Sequence, residues 1–470
     1  MNYDLIIKNG KIVTLNGVIN GDIAVKGEKI VAIGDNNPFQ NAKKVINAKG
    51  KILLPGSIDT HSHIEHSFMG EKVSETWEQA TIAAAIGGTT TTIDFAVQDK
   101  GEYLFDAVKR QFNRADKFSV IDYTTSPVLR DLRDIGKLFS GIEECVKNGI
   151  PTFKGATIYR KDGWYEDDWQ IYQVMRKIKE VGALMRWHSE NGLIGEERQK
   201  ELVDQGKTDP KYHGIAKPNF IEEMDIYKLM MIAQELGTKT YIVHVTTQNG
   251  PSIVDSFHKK GLPVYCEACT HHLVLTDSTF KLKQPRGIHY MCSPSLRKKA
   301  DIESLWDGIK SGIVQTVGSD HVAFTKAQKE RHSDTFMEIP NGFSGNEVRL
   351  PIIYQEGVIK RNLSLEKLAE VTATNAAKLF GLYPKKGILM PGSDADIVIF
   401  DPNKKHSLNA EDLHMDTDLS VYEGMEVTGW PTMTILRGKI IVENDEFKGK
   451  AGQGQFVKGT LDDSIMESVR

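Results

Sequence analysis

Eight short runs rich in β-branched and apolar residues lie between residues 57 and 320, separated by stretches with helical spacing. They read SIDTHSHI, TTTTIDF, VIDYTTSPV, PTFKGAT, LMRWHSE, TYIVHVTT, PVYCEACTHH and IVQTVGSD. Strands that alternate with helices build βα units around a parallel sheet, and eight parallel strands close into a barrel. The intervening segments, among them WEQATIAAAIGG, DWQIYQVMRKIKEVG, MDIYKLMMIAQELG and DIESLWDGIKSG, carry apolar residues at helical intervals and end at glycine, as helix C-termini often do.

The two ends have a different texture. YDLIIKNG, KIVTLNG and GDIAVKGEKIVAIG alternate apolar and polar residues between Gly and Asn punctuation, and the pattern returns in GILMPGSDADIVIFDP and MTILRGKIIVENDEF. Period-two alternation with turn signals marks hairpins. The expectation is an α/β chain: a (β/α)8 barrel over 55–384 and a small β-sandwich built from both ends, 1–54 and 385–448. Residues 449–470 read as a polar tail and an expected oligomer contact. The GQGQF within it lacks a full G-x-G-x-x-G and opens no helix after a strand, so no nucleotide site is read there.

The remaining composition excludes several functions. With 59 basic against 63 acidic residues the net charge is −4, and no basic stripe offers the footprint that nucleic acid or an anionic membrane needs. No apolar run approaches the roughly 18 residues of a membrane span, and the N-terminal stretch lacks the regions of a signal peptide, so a cytoplasmic location is expected. Four cysteines, Cys145, Cys266, Cys269 and Cys292, are too few to staple this chain. Cys266 and Cys269 form a C-x-x-C without a second pair and read as buried, reduced thiols rather than a redox or zinc motif.

Barrel enzymes carry their reactive groups at the C-terminal ends of the strands. His61 and His63 end the first run, Lys154 lies in the fourth, His188 in the fifth, His244 in the sixth, and Asp320 ends the eighth. Residues two apart on a strand face one side, so His61 and His63 can share one centre. A lone H-x-H is weak evidence, but with His188, His244 and Asp320 at strand ends it becomes a ligand set suited to zinc and related divalent ions. Lys154 is the odd member. Taken alone it reads as a lysine that snorkels to solvent or pairs with an acid. Beside divalent cations its pKa would fall, leaving an amine that can add carbon dioxide and become an anionic carbamate able to bridge two metals.

IDTHSHIEHSF, PTFKGATIYR, RWHSENG, TYIVHVTT, CSPSLR, GSDH and IPNG, in this order, resemble the motif series of the dihydropyrimidinase and hydantoinase branch of the amidohydrolase superfamily, and the similarity runs to the GQGQFVKG tail. The resemblance implies two divalent ions, zinc foremost: His61, His63 and Asp320 on one, His188 and His244 on the other, and carbamylated Lys154 between them. It implies Tyr159 as the group facing the oxyanion, Ser293 and Asn341 as substrate contacts, and Asp320 as the proton carrier. The implied activity is hydrolysis of a dihydropyrimidine or 5-substituted hydantoin to an N-carbamoyl amino acid by metal-activated hydroxide. The implied assembly is a homotetramer.

Two loops depart from the family pattern. After the H-x-H, where the family usually shows aspartate and then Met-Pro-Phe, this chain has Ile64, Glu65, His66, Ser67 and Phe68. GFSGNE after Asn341 replaces a Pro-Gly-aliphatic-Glu pattern. A dihydroorotase would be expected to place an arginine just after the H-x-H, which Ile64 and Glu65 do not supply. Allantoinase on the same scaffold stays open, and so does a non-catalytic assembly relative, although that chain should lack several ligands. A mononuclear deaminase would have no use for Lys154. His271, His272 and His321 read as hydrogen-bonded structural groups. Trp164, Tyr165 and Trp169 read as packing before lid.

Overall fold

The computed structural model describes residues 2–35, 39–161 and 163–469. Met1, residues 36–38, Asp162 and Arg470, the last residue of the expected tail, lie outside the described residues. The eight expected barrel strands are present at Ser57–Ser62, Thr89–Asp94, Asp122–Thr125, Thr152–Ala156, Leu184–His188, Thr240–Ile242, Val264–Cys269 and Thr316–Gly318. The ladders between neighbouring strands run parallel. The two remaining seams are closed by residues just past the strands. Between the third and fourth strands Lys154 N donates to Pro127 O at 2.9 Å, and Leu129 N to Lys154 O at 2.9 Å. Between the eighth and first, His63 N donates to His321 O at 2.9 Å and His321 N to His61 O at 3.3 Å. Backbone pairing at the rim thereby fixes Lys154, His61 and His63.

Glycine sets one of these contacts. A Cβ at Gly155 would stand 2.4 Å from the Trp187 ring and 2.5 Å from the Glu166 carboxyl, so a residue without one lets the fourth strand lie against the fifth. The helices form an outer layer. That at Trp77–Ile86 starts at a capping box made by Thr76 and Gln79, and that at Asn219–Leu236 stops where Gly237 turns left-handed at φ 65°, both as local sequence rules require.

The two chain ends share a nine-stranded sheet among the described residues. Ile52–Pro55 pairs in parallel with Tyr3–Thr14 and antiparallel with Ile397–Ser407, so one short strand zips the ends together immediately before the barrel begins. Leu5, Ile7, Ile23, Val25, Leu53, Ile397, Ile399 and Ile435 enter one core, which is the side-chain alternation read in the sequence. A buried ion cluster ties this unit to the barrel. Lys386 Nζ lies 2.5 Å from Asp122, 2.9 Å from Asp394 and 2.6 Å from Asp396, and Arg437 also pairs with Asp122.

The polar C-terminal stretch packs on its own chain. Tyr123 N donates to Gln455 O at 3.0 Å and Val457 N to Tyr123 O at 2.8 Å. Met466 and Val469 are buried with Leu184, Tyr241 and Phe380. The glycine of GQGQF serves close approach, since a Cβ at Gly454 would meet Ile121 O at 1.9 Å. No described helix is long and apolar enough to cross a membrane.

Candidate active site

His61, His63, Lys154, Tyr159, His188, His244, Ser293, Asp320 and Asn341 all line one pocket at the strand C-termini, with Phe68, Trp164 and Val322 as an apolar wall. His61 and His63 leave the first strand on one face, and Asp320 closes the group from the eighth. Asp320 Oδ1 lies 3.2 Å from His61 Nε2 and 3.4 Å from His63 Nε2. His188 and His244 have ring centroids 4.4 Å apart, and His244 lies 5.2 Å from the His61 ring. The second histidine pair therefore sits beside the first.

The site holds its imidazoles in the state a cation needs. His61 Nδ1 faces Glu267 Oε1 at 2.8 Å. Glu267 also accepts from Tyr241 OH at 2.9 Å and from Thr60 Oγ1. With Nδ1 bound to a carboxylate, the His61 lone pair rests on Nε2, a buried atom with no hydrogen-bond partner among the described residues, as is His244 Nδ1. Glu190 Oε2 lies 2.8 Å from His188 Nε2, leaving the other nitrogen for a ligand. Burial lowers the pKa of all four imidazoles, His61 and His244 furthest, so they stay neutral and able to ligate. Carboxylates on the far nitrogens are the usual outer support of metal-bound histidine. Orphaned ring nitrogens converging with a carboxylate in a buried pocket fit a divalent metal centre.

Lys154 is buried, with its Nζ 4.8 Å from the Phe95 ring centroid. Burial first, and then the Arg186 guanidinium, bring its pKa down to about 7, so the protein alone lowers it before any cation contributes. For Asp320, burial acts upward, but the hydrogen bond from His63 and the surrounding positive groups outweigh it and hold the carboxylate at about 2. Burial pushes the Tyr159 hydroxyl well above its ordinary value, so it remains a donor.

Tyr159, His244 and Asp320 take positive φ, at 61°, 37° and 49°. A left-handed non-glycine residue costs on the order of 1 kcal/mol or more, and three of them in one pocket mark a rim whose geometry is set by its surroundings. Asn341 Nδ2 donates to Tyr159 OH at 3.3 Å. Ser293 Oγ donates to Glu190 at 2.7 Å and accepts from Lys217 Nζ at 2.7 Å.

Sequence reading missed the supporting shell. Glu267, Glu190, Arg186 and Lys217 are all buried. A carboxylate inside the apolar run VYCEAC was the one available signal for Glu267, since buried acids are rare unless paired. Lys217 gave no signal. His321 pairs with Glu75 at 2.6 Å and accepts from Gly345 N at 3.2 Å, a structural role as expected. Trp164 joins the pocket wall, whereas Trp169 is exposed and stacks on Tyr172. The four cysteines are free and buried.

The profile of the Amidohydrolase family matches residues 52–441. The chain is 39% identical to a D-hydantoinase of Geobacillus stearothermophilus over 456 residues, 96% of both chains. It is 33% identical to a dihydropyrimidinase of Rattus norvegicus over 460 residues, 96% of this chain and 88% of that one. Among solved structures, a dihydropyrimidinase from Brevibacillus agri superposes with TM-score 0.94 at 37% identity, covering 97% of this chain and 98% of that one. An L-hydantoinase from Arthrobacter aurescens superposes with TM-score 0.89 at 29% identity over 97% of this chain and 100% of that one.

Proposed function

Because the chain belongs to the amidohydrolase family, we propose that it hydrolyses the ring amide of a 5,6-dihydropyrimidine or a 5-substituted hydantoin, releasing an N-carbamoyl amino acid. Hydrolysis of a cyclic amide is the activity that the names of its relatives share. The observation that carries the finer reading is that six ligand-type side chains from five strands line one pocket together with Tyr159, Ser293 and Asn341.

In this reading His61, His63 and Asp320 would hold one divalent ion, zinc foremost, and His188 and His244 a second. The Lys154 amine would add to carbon dioxide and lose a proton, and the resulting carbamate would supply a further anionic ligand. The two ions would supply a water acidic enough to give hydroxide near neutral pH and positive charge for the ring carbonyl. The remaining steps belong to the chain. Asp320, ionised at neutral pH, takes the proton of the attacking oxygen and returns it to the ring nitrogen as the C–N bond breaks, because an amide anion is a poor leaving group. Tyr159, kept protonated by burial, donates to the oxygen on which negative charge grows. Ser293 and Asn341 hold the ring amide. Phe68, Trp164 and Val322 exclude water and receive the ring substituent.

The pocket lining includes no arginine among the described residues. Glu65, beside the H-x-H, is engaged by Arg114 at 2.9 and 2.8 Å. Both facts weigh against a dihydroorotase. The reading also takes the working form to be a cytoplasmic homotetramer. The support on this chain is an apolar stripe, Phe220, Met224, Tyr227 and Met231, exposed along one face of the Asn219–Leu236 helix.

The test is a hydrolysis panel with the metal-loaded protein: dihydrouracil, dihydrothymine, hydantoin, 5-substituted hydantoins, allantoin, dihydroorotate and succinimide. N-carbamoyl products from the dihydropyrimidines or hydantoins are expected. Turnover of allantoin or dihydroorotate alone would overturn the assignment.

A further inference from the structure

Behind the pocket wall lies a second group of metal-type side chains that the hydrolytic site does not use. His271, His272 and Cys292 each offer a ligand atom within 4.8 Å of the others, and all three are buried. The two rings are 4.0 Å apart. His272 Nε2 contacts Pro294 O at 3.1 Å, which puts its proton there and its lone pair on Nδ1. That nitrogen has no hydrogen-bond partner among the described residues. His271 Nε2 likewise has no hydrogen-bond partner among the described residues. Each imidazole thus keeps one buried nitrogen bare, and His272 is anchored through its other nitrogen to a backbone carbonyl, the arrangement that supports ligating histidines. The Cys292 thiol donates to the same Pro294 carbonyl at 3.3 Å.

From this convergence we infer that His271, His272 and Cys292 form a third cation site, separate from the binuclear donors and suited to a soft, thiol-seeking ion such as Zn2+ or Cd2+. Two imidazoles and one thiolate are the donor types such ions select. Burial keeps both rings neutral, His271 at about 4, and the thiol protonated, at about 12, while the site is empty. Binding forms a metal–sulfur bond and expels the thiol proton to solvent, so affinity rises with pH. Occupation also pulls the thiol off Pro294 O. His213 Nε2 holds the Cys292 carbonyl at 2.8 Å from the other side. The displaced segment is the one that carries Ser293 to the substrate pocket, so the ion is expected to inhibit.

The test reads sulfur ligation directly. The binuclear donors contain no sulfur, so a thiolate-to-metal charge-transfer band reports this site whether or not the hydrolytic reading holds. Protein already loaded at the hydrolytic centre is titrated with Cd2+, following the ultraviolet band and the bound metal by mass spectrometry. One further equivalent with the band is expected for the native chain. Cys292→Ser should lose both, His272→Gln should weaken binding at least tenfold while its amide still reaches Pro294 O, and Cys266→Ser and Cys269→Ser should keep both. Melting curves identify any variant that fails to fold, and His272→Gln then carries the comparison. No additional equivalent in the native chain, a band that survives Cys292→Ser, or native affinity in folded His272→Gln would each overturn the assignment.

Discussion

Glu267 touches no pocket space, yet its replacement should be felt at the metal centre. One oxygen accepts from His61 Nδ1 at 2.8 Å; the other accepts from Tyr241 OH at 2.9 Å and from Thr60 Oγ1. Glu267→Gln keeps an oxygen for the imidazole and turns its amide N–H2 toward two hydroxyls that can accept, so the network persists while the charge is lost. What changes is the basicity of His61 Nε2. Loss of an outer carboxylate of this kind weakens metal binding about 10- to 100-fold, or about 1.4 to 2.7 kcal/mol. The same charge faces buried Arg186, so the metal-free protein should also melt lower. Melting without metal is therefore measured separately from binding, because binding to the folded state alone raises Tm through linkage. Chelator competition on native and variant protein gives the affinities, and the drop should appear at one of the two ions first. Native affinity for both ions in a folded Glu267→Gln protein would refute the claim that this carboxylate tunes His61.

Lys154→Ala should lose bound metal and activity, with partial recovery from an added short carboxylic acid; full activity without any additive would refute the bridging role. Lys329 gives a pH dependence. Its buried ammonium donates to Met291 O and Pro340 O, both at 2.9 Å, and burial brings its pKa from 10.5 to about 7. Between those values the unfolded chain holds a proton that the folded chain has released, so stability rises with pH across that window, by on the order of 4 kcal/mol. Denaturant melts should show the native chain gaining on Lys329→Met from pH 7 to pH 10, and parallel curves would contradict it. Lys386→Met leaves Asp396 without its cation, while Arg437 still pairs with Asp122 and Lys29 with Asp394, and should cost about 3 to 5 kcal/mol, read as a lower denaturation midpoint. Met224→Glu with Tyr227→Glu should reduce the mass measured by light scattering to that of a smaller oligomer; an unchanged mass would remove the stripe from the interface.

The barrel was legible because its evidence is periodic and local. Eight β-branched runs, glycine at helix ends and hairpin alternation at the termini each follow from backbone and burial rules that act within a few residues. The metal-type residues were legible for a related reason: strand ends are fixed points of the fold, so a histidine at one can be placed in space from its position in the run. The C-terminal stretch was not legible. Its polar composition concealed Val457, Met466 and Val469, single apolar residues too sparse to form a period, and Gly454, whose use becomes visible only when the Ile121 carbonyl stands against it. Glu190 and Lys217 escaped for the same reason. They pair across long sequence separations, and a pairing partner leaves no mark in local pattern.

The loop after the H-x-H shows how such a distant partner decides what the pocket presents. Asp94 ends the second strand, and its carboxylate accepts from Ile64 N at 2.9 Å, meets His66 Nε2 at 3.4 Å and takes a further bond from Gln111. Glu65 takes φ 59° and turns outward to Arg114. Held at both points, the chain bends so that Phe68 reaches the Tyr159 ring at 5.0 Å and the Trp164 ring at 6.0 Å, edge-on to both. Arg130 stacks on the far side of this group, 5.1 Å from the Trp164 ring. A ring substituent directed at that wall meets aromatic faces, and its burial there is favourable in proportion to its apolar area, about 25 cal/mol per Å2. His66 and Ser67, which depart from the family pattern, and Phe68, which keeps its phenylalanine, are thus brought to the pocket by an acid on another strand. On the proposed reading the metal-type residues behind them fix the bond that breaks, and this loop bounds the space left for a ring substituent.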